Sequence, residues 1–229
     1  VSPHVDVADW PTPRQPASLG VFAGPVGMAV QADGGPLGPV EHAAGMKARR
    51  FTACVLNAFD GATDVRDWPV WRTELERQGI PWGWWARCYT PDDIRKLCRL
   101  TAEYGRTVCV VNCEKELDAG AVTAAGLLAE TDDLRSEGVE FGLSTESPLY
   151  HNVSWERLNA FVVMPQAFAN EYPSKTALGA YTEARVRAAR VNVTVGVYPV
   201  QGRSRMSIAD YGPLPAAWSV YPVDRVEAW

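Results

Sequence analysis

Short apolar runs recur along the chain, each followed by a polar break and then by a stretch with helical spacing. The runs occupy 26–31, 51–57, 80–88, 107–113, 139–144, 160–165, 191–198 and 217–221. They are rich in valine and often apolar at consecutive positions, as strands buried on both faces are. Between them, helices are predicted at 69–78, 90–104, 121–137 and 174–190, with shorter ones at 39–48, 153–158 and 204–210. The segment 90–104 has the clearest signals. Thr90 suits an N-cap, Pro91 the first helical position, and Asp92 and Asp93 the positive end of the helix dipole. Ile94, Leu97, Cys98, Thr101 and Ala102 form one stripe, and Gly105 is placed to end the helix.

Eight strands alternating with helices over some 210 residues predict an α/β fold, a (β/α)8 barrel of the TIM type spanning 21–229. The rival is a doubly wound open sheet. Its phosphate-binding turn would follow the first strand, where ADGGPLGPVEH has glycines but also Pro36 and Pro39, and no Walker lysine. Residues 1–20 hold four prolines and no periodicity, and are expected to form an extended arm that docks on the barrel or on a neighbouring protein.

Composition narrows the function. The 22 basic and 27 acidic residues leave a net charge of −5 with no basic run, which argues against nucleic-acid binding. No apolar stretch approaches the roughly 20 residues of a membrane span, and no signal-peptide pattern opens the sequence. The five cysteines match no metal or redox spacing and read as small buried hydrophobes; Cys113 alone lies beside a carboxylate cluster. Nine tryptophans supply flat surfaces that serve either as core or as sugar-stacking platforms.

In such a barrel the chemistry sits at the C-terminal ends of the strands. There the chain offers Gln31, Asn57 and Asp60, then Trp85, Arg87 and Tyr89, then Asn112, Glu114 and Glu116. Ser144, Glu146, Gln166, Tyr198, Gln201, Tyr221 and Asp224 complete the rim. The three histidines are scattered, so no metal set and no cofactor are expected. In VCVVNCEKELD, continued strand alternation would put Asn112, Glu114 and Glu116 on one face. Inward carboxylates at a barrel mouth suit glycosidic cleavage, which pairs a protonated acid with a second carboxylate. Glu114 is the candidate acid, with Glu146, Asp60 or Glu116 as its partner. Trp85, Tyr89, Asn112, Gln166, Tyr198 and Asp224 are candidate substrate contacts.

The motifs VVNCEKE, STESPLYHNVSW, VVMPQAFANEYP and AWSVYPVD, in this order, resemble those of (β/α)8 glycoside-hydrolase-like domains of phage lysins and tail proteins. More distantly the chain is similar to the family 25 muramidases, whose fourth strand ends in Asp-x-Glu. That resemblance matches the Glu to Glu114 and the last-strand Asp to Asp224, while Asn112 and Gln31 replace acids of the pattern. It implies action on a bacterial cell-wall or surface polysaccharide, in a virion or extracellular setting, with other virion proteins as partners of the arm. The two amides point the other way, to a catalytically silent barrel serving as a structural or host-adhesion module.

Overall fold

The computed structural model describes residues 20–35, 37–61, 63–167, 177–188, 191–197, 218–221, 223–226 and 229. Residues 1–19 of the predicted arm, Tyr198, Gln201 and the helix at 204–210 lie outside these residues. The strands are β1 (Val26–Ala29), β2 (Ala53–Asp60), β3 (Trp82–Arg87), β4 (Val108–Asn112), β5 (Glu140–Glu146) and β6 (Phe161–Ala167). After them come β7 (Asn192–Val193), β8 (Val195–Val197) and β9 (Trp218–Val220). Every pairing is parallel, and the order runs β5-β4-β3-β2-β1-β9-β8-β6-β7. A further β5–β6 pairing closes the ring. The protein is therefore a TIM-type barrel, and the open-sheet alternative is excluded.

The run predicted at 191–198 is a strand in two pieces. Both β7 and β8 pair with β6, and the break falls at Thr194, whose N–H donates to the Val163 carbonyl at 2.8 Å. β7 and β8 thus share one of eight strand positions.

The helices are α1 (Gly38–Ala48), α2 (Pro69–Gln78), α3 (Pro91–Glu103), α4 (Lys115–Asp118), α5 (Ala124–Ser136) and α6 (Ala177–Arg187). α3 carries the anticipated start. Thr90 Oγ1 accepts the Asp93 N–H, and Asp93 Oδ2 accepts the Thr90 N–H at 3.0 Å, a reciprocal cap worth about 1 kcal/mol. Its buried face uses Ile94, Leu97, Cys98, Leu100 and Thr101, whereas Ala102 is exposed. The predicted 121–137 helix is shorter, and α4 forms unannounced from the charged run before it. The segment at 153–158 is a 3-10 turn, Trp155–Leu158.

Strand alternation divides the core in two. Inside the ring, Val26, Met28, Ala53, Val55, Trp85, Val108, Val110, Val162 and Met164 pack together. Outside it, Trp82, Trp84, Cys109, Val111 and Leu143 meet the apolar stripes of the helices. Each such large side chain contributes about 1.5–3 kcal/mol by leaving water. The N-terminal mouth is plugged by a 3-10 turn, Gly20–Ala23, with Phe22 fully buried. Glu140 Oε2 accepts the Val21 N–H at 2.6 Å and fixes that plug. Gly142 makes room for it, since a Cβ there would sit 2.6 Å from Met164 Sδ and 3.0 Å from the Phe22 ring. With the bottom filled, the opposite mouth is where side chains reach open space.

Candidate functional site

At the C-terminal mouth lies a cleft of about 430 Å³. Met28, Val30, Trp85 and Tyr221 form its apolar floor, and polar side chains form its walls. Trp85 is almost wholly buried; its Nε1–H donates to the Ala29 carbonyl at 2.8 Å, and its ring meets Tyr221 edge-on at 5.3 Å. It is a floor under a ligand rather than a free-standing wall. Trp82 and Trp84, on the other face of β3, pack outside the ring.

Arg87 is the hub of the acidic wall. It pairs with Glu114, and its Nη2 reaches both carboxylate oxygens of Glu116 at 3.2 Å. The guanidinium also lies over the Tyr89 ring, 5.3 Å from its centre. Burial favours the neutral form of this arginine, but the bonds and charges of Glu114 and Glu116 outweigh it and hold the proton more tightly than usual. Burial likewise pulls Glu116 upward. The Glu114 N–H, donated to Glu116 Oε2 at 2.8 Å, its own backbone N–H and Arg87 prevail and keep its carboxyl below the usual range.

Asn112, Glu114 and Glu116 therefore do not share a face through continued strand geometry. β4 ends at Asn112, Glu114 turns the chain, and Glu116 belongs to α4. The two glutamates converge because both face one guanidinium.

Gln166, on β6, joins this wall to the next strands. Its amide nitrogen lies 3.0 Å from Glu114 Oε1, 3.1 Å from Ser144 Oγ and 3.3 Å from Asn112 Oδ1. With two N–H groups for three acceptors, the cluster is tied but not rigidly partitioned. Glu146 is aligned with Gln166 in the β5–β6 register, as Asn112 is with Ser144 between β4 and β5. Glu114, just past β4, and Glu146, the last residue of β5, both line the cleft. Tyr150 donates its hydroxyl to Glu146 Oε2 at 2.6 Å; burial first, and then this carboxylate, push the phenol well above its usual range.

On the β2 side an irregularity in the β2–β3 register lies between Asn57 and Phe59, so Asp60 comes opposite Arg87 and faces the mouth. Tyr89 donates its hydroxyl to Asp60 Oδ1 at 2.9 Å and is itself 42% exposed, open to a ligand.

Of the candidates drawn from the sequence, Glu114, Glu146, Asp60, Trp85, Tyr89, Asn112 and Gln166 all line this cleft. Asp224 does not. It is completely buried behind the end of β1, where its Oδ1 accepts the Val30 N–H at 2.7 Å and its Oδ2 has no hydrogen-bond partner among the described residues. Desolvation raises its carboxyl to about 6, opposed by the Val30 N–H, its own backbone N–H and Arg225. Gln31 has its amide over the turn at Gly35 instead of in the cleft.

Three participants escaped the sequence reading. Arg66 and Arg225 line the mouth from loops, and Tyr150 reaches Glu146 from beyond β5. None stands at a strand end, so alternation carried no sign of them. Among the described residues, no three His, Cys, Asp or Glu side chains converge as metal ligands would. Cys113 is buried, its thiol directed at the Cys88 carbonyl 3.2 Å away. No described helix is long and apolar enough to cross a membrane.

No known protein family matches the chain, and no curated protein does. Among solved structures it is similar to the apo form of 3-keto-D-glucoside 4-epimerase from E. coli. The identity is 9%, the TM-score 0.41, and the likeness covers 85% of this chain and 90% of that one. The assignment of the fold stands on the closed parallel strand pairing itself.

Proposed function

We propose that the barrel mouth binds a bacterial cell-wall or surface polysaccharide and hydrolyses a glycosidic bond in it, in a virion or extracellular setting. The observation that carries this reading is the pair of carboxylates, Glu114 just past β4 and Glu146 at the end of β5, that line one polar cleft. Their surroundings divide the work. Glu114 is held by Arg87 and Gln166, which suits a fixed negative charge beside an oxocarbenium-like transition state. Glu146 is bonded among the described residues by a hydroxyl and not a cation, which suits the proton donor. This exchanges the role that sequence alone assigns to Glu114. Asn112, Gln166 and Ser144 supply hydrogen bonds to sugar hydroxyls, and Tyr89 an exposed ring for stacking.

A second reading is favoured by the closure of Arg87 on both Glu114 and Glu116, which engages those carboxylates internally. The barrel is then a glycan-binding adhesion module, anchored through the arm of residues 1–20. Reducing-end release from a panel of bacterial walls and capsules separates the two. Cleavage by the parent protein that falls about 10²–10⁴-fold in both Glu114→Gln and Glu146→Gln supports the hydrolase. Saturable binding of one glycan without any release supports the adhesin, and neither cleavage nor binding removes the glycan from consideration.

A further inference from the structure

We infer that the ligand of this mouth is an acidic glycan, seated with a carboxylate or phosphate substituent against Arg66 and Arg225. The inference rests on the glycan reading and narrows it. The charges of the cleft are spread unevenly around the barrel, with the Asp60 carboxylate on β2 between an acidic and a basic side. Glu114 lies just past β4 and Glu146 ends β5, and the cation lining the cleft beside them, Arg87, is neutralised by Glu114 and Glu116. Across the ring stand Arg66, on the connection after β2 with its guanidinium at the end of β1, and Arg225, in the turn after β9. Both are exposed, both line the cleft, and neither forms an ion pair with any described residue.

Val30 links the positions of the two. Its carbonyl accepts Arg66 Nη1 at 2.9 Å, and its N–H is held by Asp224, the residue before Arg225. The Arg66 backbone is anchored as well, its N–H bonding the Ala58 carbonyl at 2.9 Å. Arg66 spends one donor on Val30 and keeps the rest of its guanidinium for a ligand. The planar forks of the two guanidiniums match carboxylate and phosphate oxygens. A neutral sugar offers them no counter-charge. An acidic repeat unit answers them, and it orients the chain with its anion on the basic wall and a neighbouring glycosidic bond toward Glu114 and Glu146.

The test is calorimetric titration of the full chain with three matched glucose tetrasaccharides: neutral, C6-oxidised to glucuronate, and C6-phosphorylated. Free glucuronate and inorganic phosphate are followed in parallel through the Arg Nε–H resonances. The acidic tetrasaccharides are expected to bind about tenfold or more tightly than the neutral one. Arg66→Gln and Arg225→Gln should each remove most of that preference, while Arg99→Gln, exposed on α3 outside the cleft, leaves it intact. Which acidic form wins separates carboxylate from phosphate. Equal binding of neutral and acidic forms, or a preference that survives the double Arg66/Arg225 variant, overturns the inference while the glycan reading stands. If no tetrasaccharide binds, the free anions decide. Shifts at Arg66 and Arg225 keep the anion subsite though the glycan reading falls, and their absence overturns the subsite too.

Discussion

Replacing Asp224 by Asn should make the barrel more stable at neutral pH. The carboxyl is completely buried, one oxygen accepts the Val30 N–H, and the other has no close hydrogen-bond partner among the described residues. Burial raises it to about 6, so the folded chain holds this proton where the unfolded chain has released it. Between about pH 4 and pH 6 the native state then binds more protons than the unfolded state, and stability falls as pH rises. Each factor of ten in proton affinity is worth about 1.4 kcal/mol, and the displacement spans about two such factors. The charged form therefore costs about 3 kcal/mol above pH 6. An amide keeps the acceptor for Val30 and removes the charge, but its buried N–H₂ returns about 1 kcal/mol of that gain. Thermal melts of parent and Asp224→Asn across pH 4.5–8 read the difference. The variant should melt about 4–8 °C higher at pH 8, with the gap shrinking toward pH 4.5. A variant less stable than the parent at pH 8, by the same margin as at pH 4.5, would refute the argument. It would mean that the Val30 N–H and Arg225 stabilise the anion more than burial opposes it.

Other consequences follow from the same packing. Arg87→Met strands two carboxylates whose side chains are only 19% and 12% exposed, and should cost about 2–3 kcal/mol, seen as a lowered melting temperature; an unchanged melt would show that Glu114 and Glu116 are solvated. Gly83→Ala would set a methyl 1.9 Å from the Val108 carbonyl oxygen, so it should lose about 3 kcal/mol or more, or the cooperative melt altogether. All five cysteines are buried, and desolvation raises every one of their thiols well above the usual range, Cys98 to about 12. An aromatic disulfide reagent at pH 8 should therefore label none of them in the native protein and all five in denaturant.

What the sequence determined by itself was everything set locally. Buried parallel strands leave apolar runs, so all eight strand positions were legible to within a few residues. Helix ends are local too: Pro69, Gly79, Thr90 and Pro91 mark boundaries that α2 and α3 follow. The assignment of chemistry to the C-terminal rim came from strand phase, and it placed Glu114, Glu146, Asn112 and Gln166 in one cleft. Register, loop paths and partners were settled only by closure of the ring, because each depends on residues distant in the chain. The irregularity that turns Asp60 toward Arg87 belongs to the pairing of two strands, not to either alone. Arg87 gathers Glu114 and Glu116 across the β3–β4 connection. Asp224 stands just past a strand end like the others, yet the turn after β9 carries it behind β1 and out of water. Alternation tells which way a side chain leaves a strand; burial, charge and company are decided by what the fold brings to meet it.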